Sequence, residues 1–271
     1  MILVSTDWLN DNLNKVKIID ASWHLVKNRN AIEEYNKEHI KNAIFFDLDK
    51  NSNPKKNLAH GHFLPTIASH EKSTSEMGIL NTDRIIIYCN SDLISSCRVW
   101  FQFIYFGHNP KLVSILNGGM KKWKLENKNI TNLKTKIIPS KYKAKENINM
   151  IKVKSQIIKN IKKKEFTVLD ARSKSRFLGQ ESEPRPGIRS GSIEGSKSVP
   201  LNELVNIKDN TFLNKKKLKN IFNLKGINGN KIVMSCGSSV AAASLALAYS
   251  IINDDYMTKI YIGSWTEYGK K

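Results

Sequence analysis

The sequence from residue 231 to residue 252, KIVMSCGSSVAAASLALAYSII, contains three local patterns in succession. It begins with a short apolar run, Ile232 to Met234, of the kind that forms a buried strand. Small residues follow from Cys236 to Ser239, and the Ala- and Leu-rich stretch from Val240 to Ile252 predicts a packed helix. Strand, tight turn and helix in this order are typical of the β/α units of a parallel sheet.

Similar patterns occur twice along the chain. Four short stretches of the first half return in the second half at offsets between 145 and 153 residues. The pairs are Ile18–Ser22 with Val168–Arg172, His39–Ile44 with Ser192–Lys197, Arg84–Cys89 with Lys231–Cys236, and Asn117–Gly119 with Ile262–Ser264. Ordered repeats of this length indicate a duplicated domain. We therefore predict an α/β protein of two tandem domains, each a parallel β-sheet flanked by helices.

A polar segment separates the two repeats. Residues 132–149 are rich in lysine and contain Pro139, which is typical of a linker. A chain of 271 residues accommodates two domains of about 100–150 residues each. We place the first domain at residues 1–140 and the second at residues 150–271.

The composition restricts the classes of function. With 40% apolar and 25% charged residues, the chain has the composition of an ordinary globular protein. The net charge of +20 raises the question of nucleic-acid binding, but the lysines are spread along the chain and no nucleic-acid motif accompanies them. We expect no nucleic-acid partner. The uncharged run from Ile232 to Ile252 is long enough to span a bilayer, yet its glycine and serines favour a buried strand, turn and helix. We expect no membrane association.

Cysteine usage indicates the compartment. Cys89, Cys97 and Cys236 cannot all pair in disulfides, and their spacing matches no zinc site. The first residues lack the positive charge and long apolar segment of a signal peptide. We therefore expect a cytoplasmic protein without a metal.

Cys236 is the strongest candidate for a reactive residue. It lies between the carboxyl end of a predicted strand and the amino end of a predicted helix, where α/β folds bind ligands and free N–H groups stabilise an anion. We expect the same field to lower the thiol pKa. A buried structural cysteine is the alternative. A cysteine phosphatase is disfavoured, because Ala242 stands six residues further on, where such an enzyme has an arginine that binds phosphate.

Eight further short motifs, four in each half, together match the pattern of one protein family. They are Phe45–Asp49, Arg98–Trp100, Phe106–His108, Gly118–Trp123, Asp170–Ser173, Arg176–Phe177, Glu183–Gly191 and Gly263–Gly269. With these motifs the chain resembles the tandem rhodanese-domain family of mercaptopyruvate and thiosulfate sulfurtransferases along nearly its whole length. The loop Cys236–Val240 is similar to the Cys-Gly-Ser-Gly-Val loop of the mercaptopyruvate branch. The thiosulfate branch has Arg-Lys where this chain has Gly237 and Ser238.

The resemblance implies that only the second domain is catalytic and that Cys236 carries sulfur as a persulfide. Arg176 and Arg185 would bind the carboxylate and ketone oxygens of 3-mercaptopyruvate, since a guanidinium can donate two hydrogen bonds to a carboxylate. The backbone of Gly237, Ser239 and Val240 would surround the sulfur.

The resemblance also implies a relay of Ser238, His62 and Asp49, in which each residue orients the next. All six histidines precede residue 132, so a histidine that assists Cys236 must come from the first half. His60 is close in sequence, but the spacing to Leu64 and Pro65 favours His62.

The reaction implied is sulfur transfer from 3-mercaptopyruvate to a thiol, such as thioredoxin or a small thiol, or to cyanide. It requires no cofactor, and we expect a monomer. Two alternatives stay open: a thiosulfate sulfurtransferase, which loop cations would favour, and a non-catalytic rhodanese-like sulfur-relay module, which would form no persulfide with the substrate.

Some residues differ from the family pattern. Ser239 stands at a common glycine position, Ala241 at a common threonine and Ser192 at a common histidine. Because glycine tolerates positive φ, we expect strain at Ser239. Cys89 stands where the first domain of the family commonly has aspartate, and we expect it to be inert.

Overall fold

A computed structural model of the chain describes residues 1–25, 28–53, 61–227, 229 and 231–270. The chain divides into two compact units. The first consists of Met1–Asn51, Pro65–Asn147 and Asn206–Phe212, and the second of Ser52–Leu64, Ile148–Val205 and Leu213–Lys271. Each unit therefore contains one short segment from the opposite half of the chain.

The first unit contains a five-stranded parallel sheet with the strand order β1-β6-β5-β2-β4 and a two-stranded antiparallel pair of β3 and β7. Its elements are β1 Leu3–Val4, α1 Thr6–Asn12, β2 Lys17–Asp20, α2 Ala31–Lys37, β3 His39–Ile40, β4 Ala43–Phe45, α3 Ile67–Glu76, β5 Ile85–Tyr88, α4 Ser96–Tyr105, β6 Val113–Leu116, α5 Gly119–Leu125 and β7 Ile130–Thr131.

The second unit contains a parallel sheet with the order β8-β12-β11-β9-β10. Its elements are β8 Ile151–Lys152, α6 Lys154–Lys163, β9 Thr167–Asp170, α7 Lys174–Phe177, β10 Lys197–Ser198, α8 Lys215–Leu224, β11 Ile232–Ser235, α9 Val240–Asn253, β12 Lys259–Tyr261 and α10 Ser264–Tyr268. The order matches that of the first unit strand for strand, so the predicted α/β fold of two tandem parallel sheets is confirmed.

The central strand of each sheet and the helix that follows it are buried. All residues of β5 and β11 are buried, as is every residue of α4. In α9 the buried run extends from Val240 to Ser250. A helix that is apolar on all sides requires such surroundings. The long uncharged run of the sequence is therefore a strand, a turn and a core helix.

Among the described residues no helix has both the length and the apolar character that crossing a membrane requires. Cys89, Cys97 and Cys236 all lie in the described part of the chain, where each is buried and none forms a disulfide.

Candidate active site

Cys236 directly follows β11, and α9 begins four residues later. β11 pairs in parallel with β9, and Ser235 lies opposite Asp170 in the register. Cys236 therefore lies at the carboxyl edge of the sheet. The backbone N–H groups of Ser238 and Ala242 donate hydrogen bonds to its sulfur. The loop and the first turn of α9 thus lie around the sulfur, and their role as a cradle for an anionic sulfur stays a prediction.

The expected lowering of the Cys236 pKa is wrong for the protein without substrate. The side chain is only 2% exposed, and this burial raises the pKa of the thiol because the thiolate loses its hydration. The amides of Ala242 and Ser238 and the charge of Arg176 act in the opposite direction, while the carboxylate of Asp170 adds to the rise. The effect of burial on the thiol pKa is larger than that of the two amides and Arg176.

Two arginines lie next to the loop. Arg176 is in α7, and Arg185 is in the segment that follows it. A Cβ atom added to Gly237 would lie 3.2 Å from Nη2 of Arg176 and 3.6 Å from Nη1 of Arg185, so a side chain at this position would crowd both guanidinium groups. Arg185 Nη2 donates to Ser238 Oγ at 3.1 Å. The structure thus brings both predicted arginines to the cysteine loop.

Glu183 orients Arg176. The Nε and Nη2 atoms of Arg176 donate to the Glu183 carboxylate at 3.3 and 2.5 Å. Arg172 Nη1 donates to the same carboxylate at 2.6 Å, and Arg172 also forms an ion pair with Asp170 at 2.7 Å. A buried carboxylate between two guanidinium groups fixes the geometry of both.

His62 belongs to the second unit through the segment Ser52–Leu64. Its Nδ1 atom lies 3.2 Å from Ser238 Oγ, and its carbonyl oxygen accepts a hydrogen bond from Ser239 Oγ at 3.3 Å. Two hydrogen bonds therefore connect this segment to the cysteine loop. His60 lies outside the described residues.

Asp49 belongs to the first unit. Trp23 Nε1 donates to both of its carboxylate oxygens at 3.2 Å. That Asp49 orients His62 stays a prediction.

Ser239 has φ 64 and ψ 0 and immediately precedes α9. These angles lie in the left-handed region, as the sequence predicts for a position where the family commonly has glycine. The side chain is fully buried, and the conformation is one that a residue with a Cβ atom adopts at a cost. Val240, also buried, is the first residue of α9.

Sequence reasoning did not assign roles to several residues that hold the loop. Ser264, Trp265 and Thr266, in the first turn of α10, form hydrogen bonds with its backbone. Glu183 was part of a matching motif, and Ser264–Thr266 part of another, but motif membership alone indicated no specific contact. Among the described residues no group of three or more His, Cys, Asp or Glu side chains could hold a metal ion.

Comparison with known proteins identifies the family of the chain. The rhodanese-like domain family matches residues 5–126 and 153–271. A mitochondrial thiosulfate/3-mercaptopyruvate sulfurtransferase from Arabidopsis thaliana is 35% identical over 98% of this chain and 75% of its own length. The 3-mercaptopyruvate sulfurtransferase of Mus musculus is 34% identical over 98% of this chain and 91% of its own.

A solved structure has the same fold over nearly the whole chain. It is SseA from Escherichia coli, whose crystal structure describes the rhodanese fold and catalytic mechanism of 3-mercaptopyruvate sulfotransferases. The TM-score is 0.87 at 28% identity, with 98% of this chain and 99% of SseA covered.

Proposed function

The chain belongs to the rhodanese family of sulfurtransferases, and from this premise we propose that it transfers sulfur from 3-mercaptopyruvate through a persulfide on Cys236. One observation carries the proposal. The Cys236 sulfur accepts two backbone N–H groups, and the loop that holds it lies beside Arg176 and Arg185. A nucleophile and donors for an anionic substrate are thus close together.

The substrate preference follows from the side chains of the loop. Gly237 and Ser238 supply no cation, so the arginines beside the loop would have to hold a compact dianion such as thiosulfate by themselves. A monoanion with a neighbouring ketone fits two guanidinium groups better, since each can donate to one polar end. Glu183 occupies two donor atoms of Arg176, and a guanidinium has five N–H groups, so donors remain for a carboxylate.

In the first half-reaction, the Cys236 thiolate attacks the sulfur of 3-mercaptopyruvate. The carbon–sulfur bond breaks, and its electron pair stays on carbon as the pyruvate enolate, which takes up a proton to give pyruvate. In the proposed reaction Ser238 supplies this proton, and two contacts of its Oγ atom support the role: His62 Nδ1 lies within hydrogen-bond distance and Arg185 donates to it. Asp49 completes the proposed relay by orienting His62.

In the second half-reaction, an acceptor removes the outer sulfur of the persulfide. A thiol becomes a persulfide, or cyanide becomes thiocyanate, and the Cys236 thiolate is restored. The scheme is ping-pong and requires no cofactor. Thioredoxin or a small thiol is the proposed acceptor, and the protein acts as a monomer in the cytoplasm, a reducing compartment that suits a nucleophilic thiol.

Intact-protein mass spectrometry tests the proposal. After exposure to 3-mercaptopyruvate, the protein is expected to gain the mass of one sulfur atom and to release pyruvate. Cys236→Ser is expected to gain nothing, while Cys89→Ser is the matched control and is expected to behave as wild type. Absence of the adduct in the folded wild-type protein would favour the sulfur-relay module instead.

Thiosulfate is the second candidate substrate, because the Arabidopsis relative is named for both thiosulfate and 3-mercaptopyruvate. The loop favours 3-mercaptopyruvate, and we expect a preference in kcat/KM of at least about tenfold, which corresponds to one charge-assisted hydrogen bond. Steady-state kinetics with the two donors and the same acceptor measure this ratio. A preference for thiosulfate would reverse the assignment.

A further inference from the structure

Ser264, the first residue of α10, contacts the cysteine loop from the side of the neighbouring strand β12. Its Oγ atom accepts hydrogen bonds from Cys236 N at 3.3 Å and from Ser239 N at 3.1 Å. It donates to Tyr261 O, the last residue of β12, at 2.9 Å. The side chain is fully buried. One hydroxyl therefore connects two amides of the loop to the sheet.

The next two residues of α10 bind the carbonyl groups of the same loop. Trp265 N donates to Cys236 O, and Thr266 N donates to Gly237 O, both at 2.9 Å. The first N–H groups of a helix have no partner within the helix and are free for such bonds. Together with the two bonds to Ser264 Oγ, they fix four consecutive peptide planes, from the plane between residues 235 and 236 to the plane between 238 and 239.

The orientation of these planes determines which N–H groups face the sulfur. The C=O and N–H groups of a trans peptide point in opposite directions. Because Gly237 O points to Thr266, the N–H of Ser238 points the other way, and it is one of the two amides that bind the Cys236 sulfur. The amides of Cys236 and Ser239 donate to Ser264 Oγ, so they do not compete with Ser238 and Ala242 for the sulfur.

The first unit provides an internal comparison. Gly119 begins α5 there, as Ser264 begins α10, and the two residues have similar φ values of 54 and 49. Met120 N donates to Cys89 O at 3.1 Å, the counterpart of the bond from Trp265 to Cys236. A Cβ atom on Gly119 would lie 2.5 Å from Cys89 O, so a side chain there would require the backbone to shift. The backbone bond is common to both units, whereas the hydroxyl is present only beside Cys236.

We propose that Ser264 is a positioning residue of the sulfur cradle, whose hydroxyl fixes the outer peptide planes of the loop so that the amides of Ser238 and Ala242 face the Cys236 sulfur. Glycine is the residue that adopts this left-handed backbone without strain, yet the chain has serine there. The two hydrogen bonds that the Ser264 hydroxyl accepts explain why serine is present in spite of the strain. The proposal rests on Cys236 being the nucleophile of the proposed function.

Three substitutions of Ser264 separate positioning from folding. Ser264→Gly removes the hydroxyl and relieves the backbone strain, whereas Ser264→Thr keeps a hydroxyl and retains the strain. Ser264→Ala removes the hydroxyl without relieving strain. Ser250→Ala is the matched control: Ser250 is equally buried in the same unit, and its hydroxyl donates to Ala246 O within α9.

The measurement is the rate of Cys236 alkylation by iodoacetamide as a function of pH, followed by peptide mass spectrometry without any sulfur donor. We expect Ser264→Gly and Ser264→Ala to be alkylated on the order of tenfold more slowly at neutral pH, with the pH profile moved upward, because the loop that holds the anion-binding amides loses two of its hydrogen bonds. Ser264→Thr and Ser250→Ala are expected to keep the wild-type profile. Cys97, fully buried, reports unfolding in each variant, since unfolding would expose it to the reagent.

The outcomes distinguish this proposal from the proposed function. If Ser264→Gly and Ser264→Ala are folded and alkylated as fast as wild type, the positioning role is wrong, whatever the substrate. If Ser264→Thr does not fold, the comparison of the Gly and Ala variants with Ser250→Ala decides alone. If the alkylation results are as expected but the wild-type protein gains no sulfur from 3-mercaptopyruvate, the cradle is correct and the proposed reaction is not.

Discussion

The two units place a cysteine at the same point of the same fold, but only one of these cysteines lies in a cradle. Cys89 follows β5 as Cys236 follows β11. In the second unit the sulfur accepts two backbone amides, and helix α9 begins at the fourth residue after the cysteine. In the first unit α4 begins only at the seventh residue, and the Cys89 thiol donates to Ser96 Oγ at 3.4 Å.

This difference shows that topology supplies the location and the loop supplies the chemistry. A cavity of about 370 Å³ is lined by Cys89 and residues of its loop, so the first unit has open space beside its cysteine. The short loop of the second unit brings backbone N–H groups to the sulfur, whereas the longer loop of the first unit leaves Cys89 with a serine hydroxyl as acceptor. A cysteine at a strand end is therefore not a nucleophile by position alone.

The largest expected effect is on the nucleophile. Cys236→Ser is expected to abolish 3-mercaptopyruvate turnover, because a serine hydroxyl cannot carry the transferred sulfur as a persulfide. Cys89→Ser makes the same change at the equivalent position and is expected to retain the wild-type rate. Pyruvate release measures both. Loss of activity in the folded Cys89 variant would remove the distinction between the two units.

The next effect concerns the arginine that contacts Ser238. Arg185→Ala is expected to lower kcat/KM for 3-mercaptopyruvate on the order of 10–100-fold, mostly through KM, because a charge-assisted hydrogen bond to the substrate is lost. Arg185→Lys keeps the charge but not the planar guanidinium group, so its kcat/KM should lie between that of the wild type and that of Arg185→Ala. Unchanged kinetics in Arg185→Ala would show that the substrate binds elsewhere.

The pH dependence follows from burial of the thiol. Because burial raises the pKa of Cys236, the unreactive thiol predominates at neutral pH, and the reactive thiolate increases as pH rises toward the folded pKa. We expect the alkylation rate of Cys236 to rise about tenfold per pH unit below that pKa. A rate that is already constant from pH 6 to pH 8 would mean that the thiolate dominates there.

A smaller effect is expected for the relay. His62→Gln is expected to lower kcat with 3-mercaptopyruvate about tenfold, since the partner of the Ser238 hydroxyl is altered while the arginines remain. Ser238→Ala tests the same connection, and the double variant should be no slower than the slower single variant if the residues act together. Fully additive losses would argue against a relay.

The smallest effect tests backbone strain in the loop. Ser239→Gly and Ser239→Ala both remove the hydroxyl that donates to His62 O, and they differ in their tolerance of φ 64. The glycine variant should therefore be more stable by about 1 kcal/mol in its free energy of unfolding. Urea denaturation of the two variants gives the difference. Equal stability would indicate that the loop relaxes when the serine is replaced.

The sequence was sufficient for the duplicated α/β fold and for the position of Cys236. Apolar runs such as Ile232–Met234 and the buried pattern of α9 depend on local periodicity, which the sequence carries directly. Repeated motifs then indicated two domains. The pKa of Cys236 was predicted in the wrong direction, because a loop motif shows the helix terminus but not the degree of burial around the sulfur.

By itself, then, the sequence determined the type and order of the elements and the residue at the strand end. Only the tertiary structure decided which residues surround that cysteine. It assigned Ser52–Leu64, and with it His62, to the second unit, and Asn206–Phe212 to the first. It also placed the Ser264 hydroxyl between two loop amides. The physical reason is that secondary structure follows from short-range patterns, whereas hydrogen bonds between residues such as His62 and Ser238 join segments far apart in the chain.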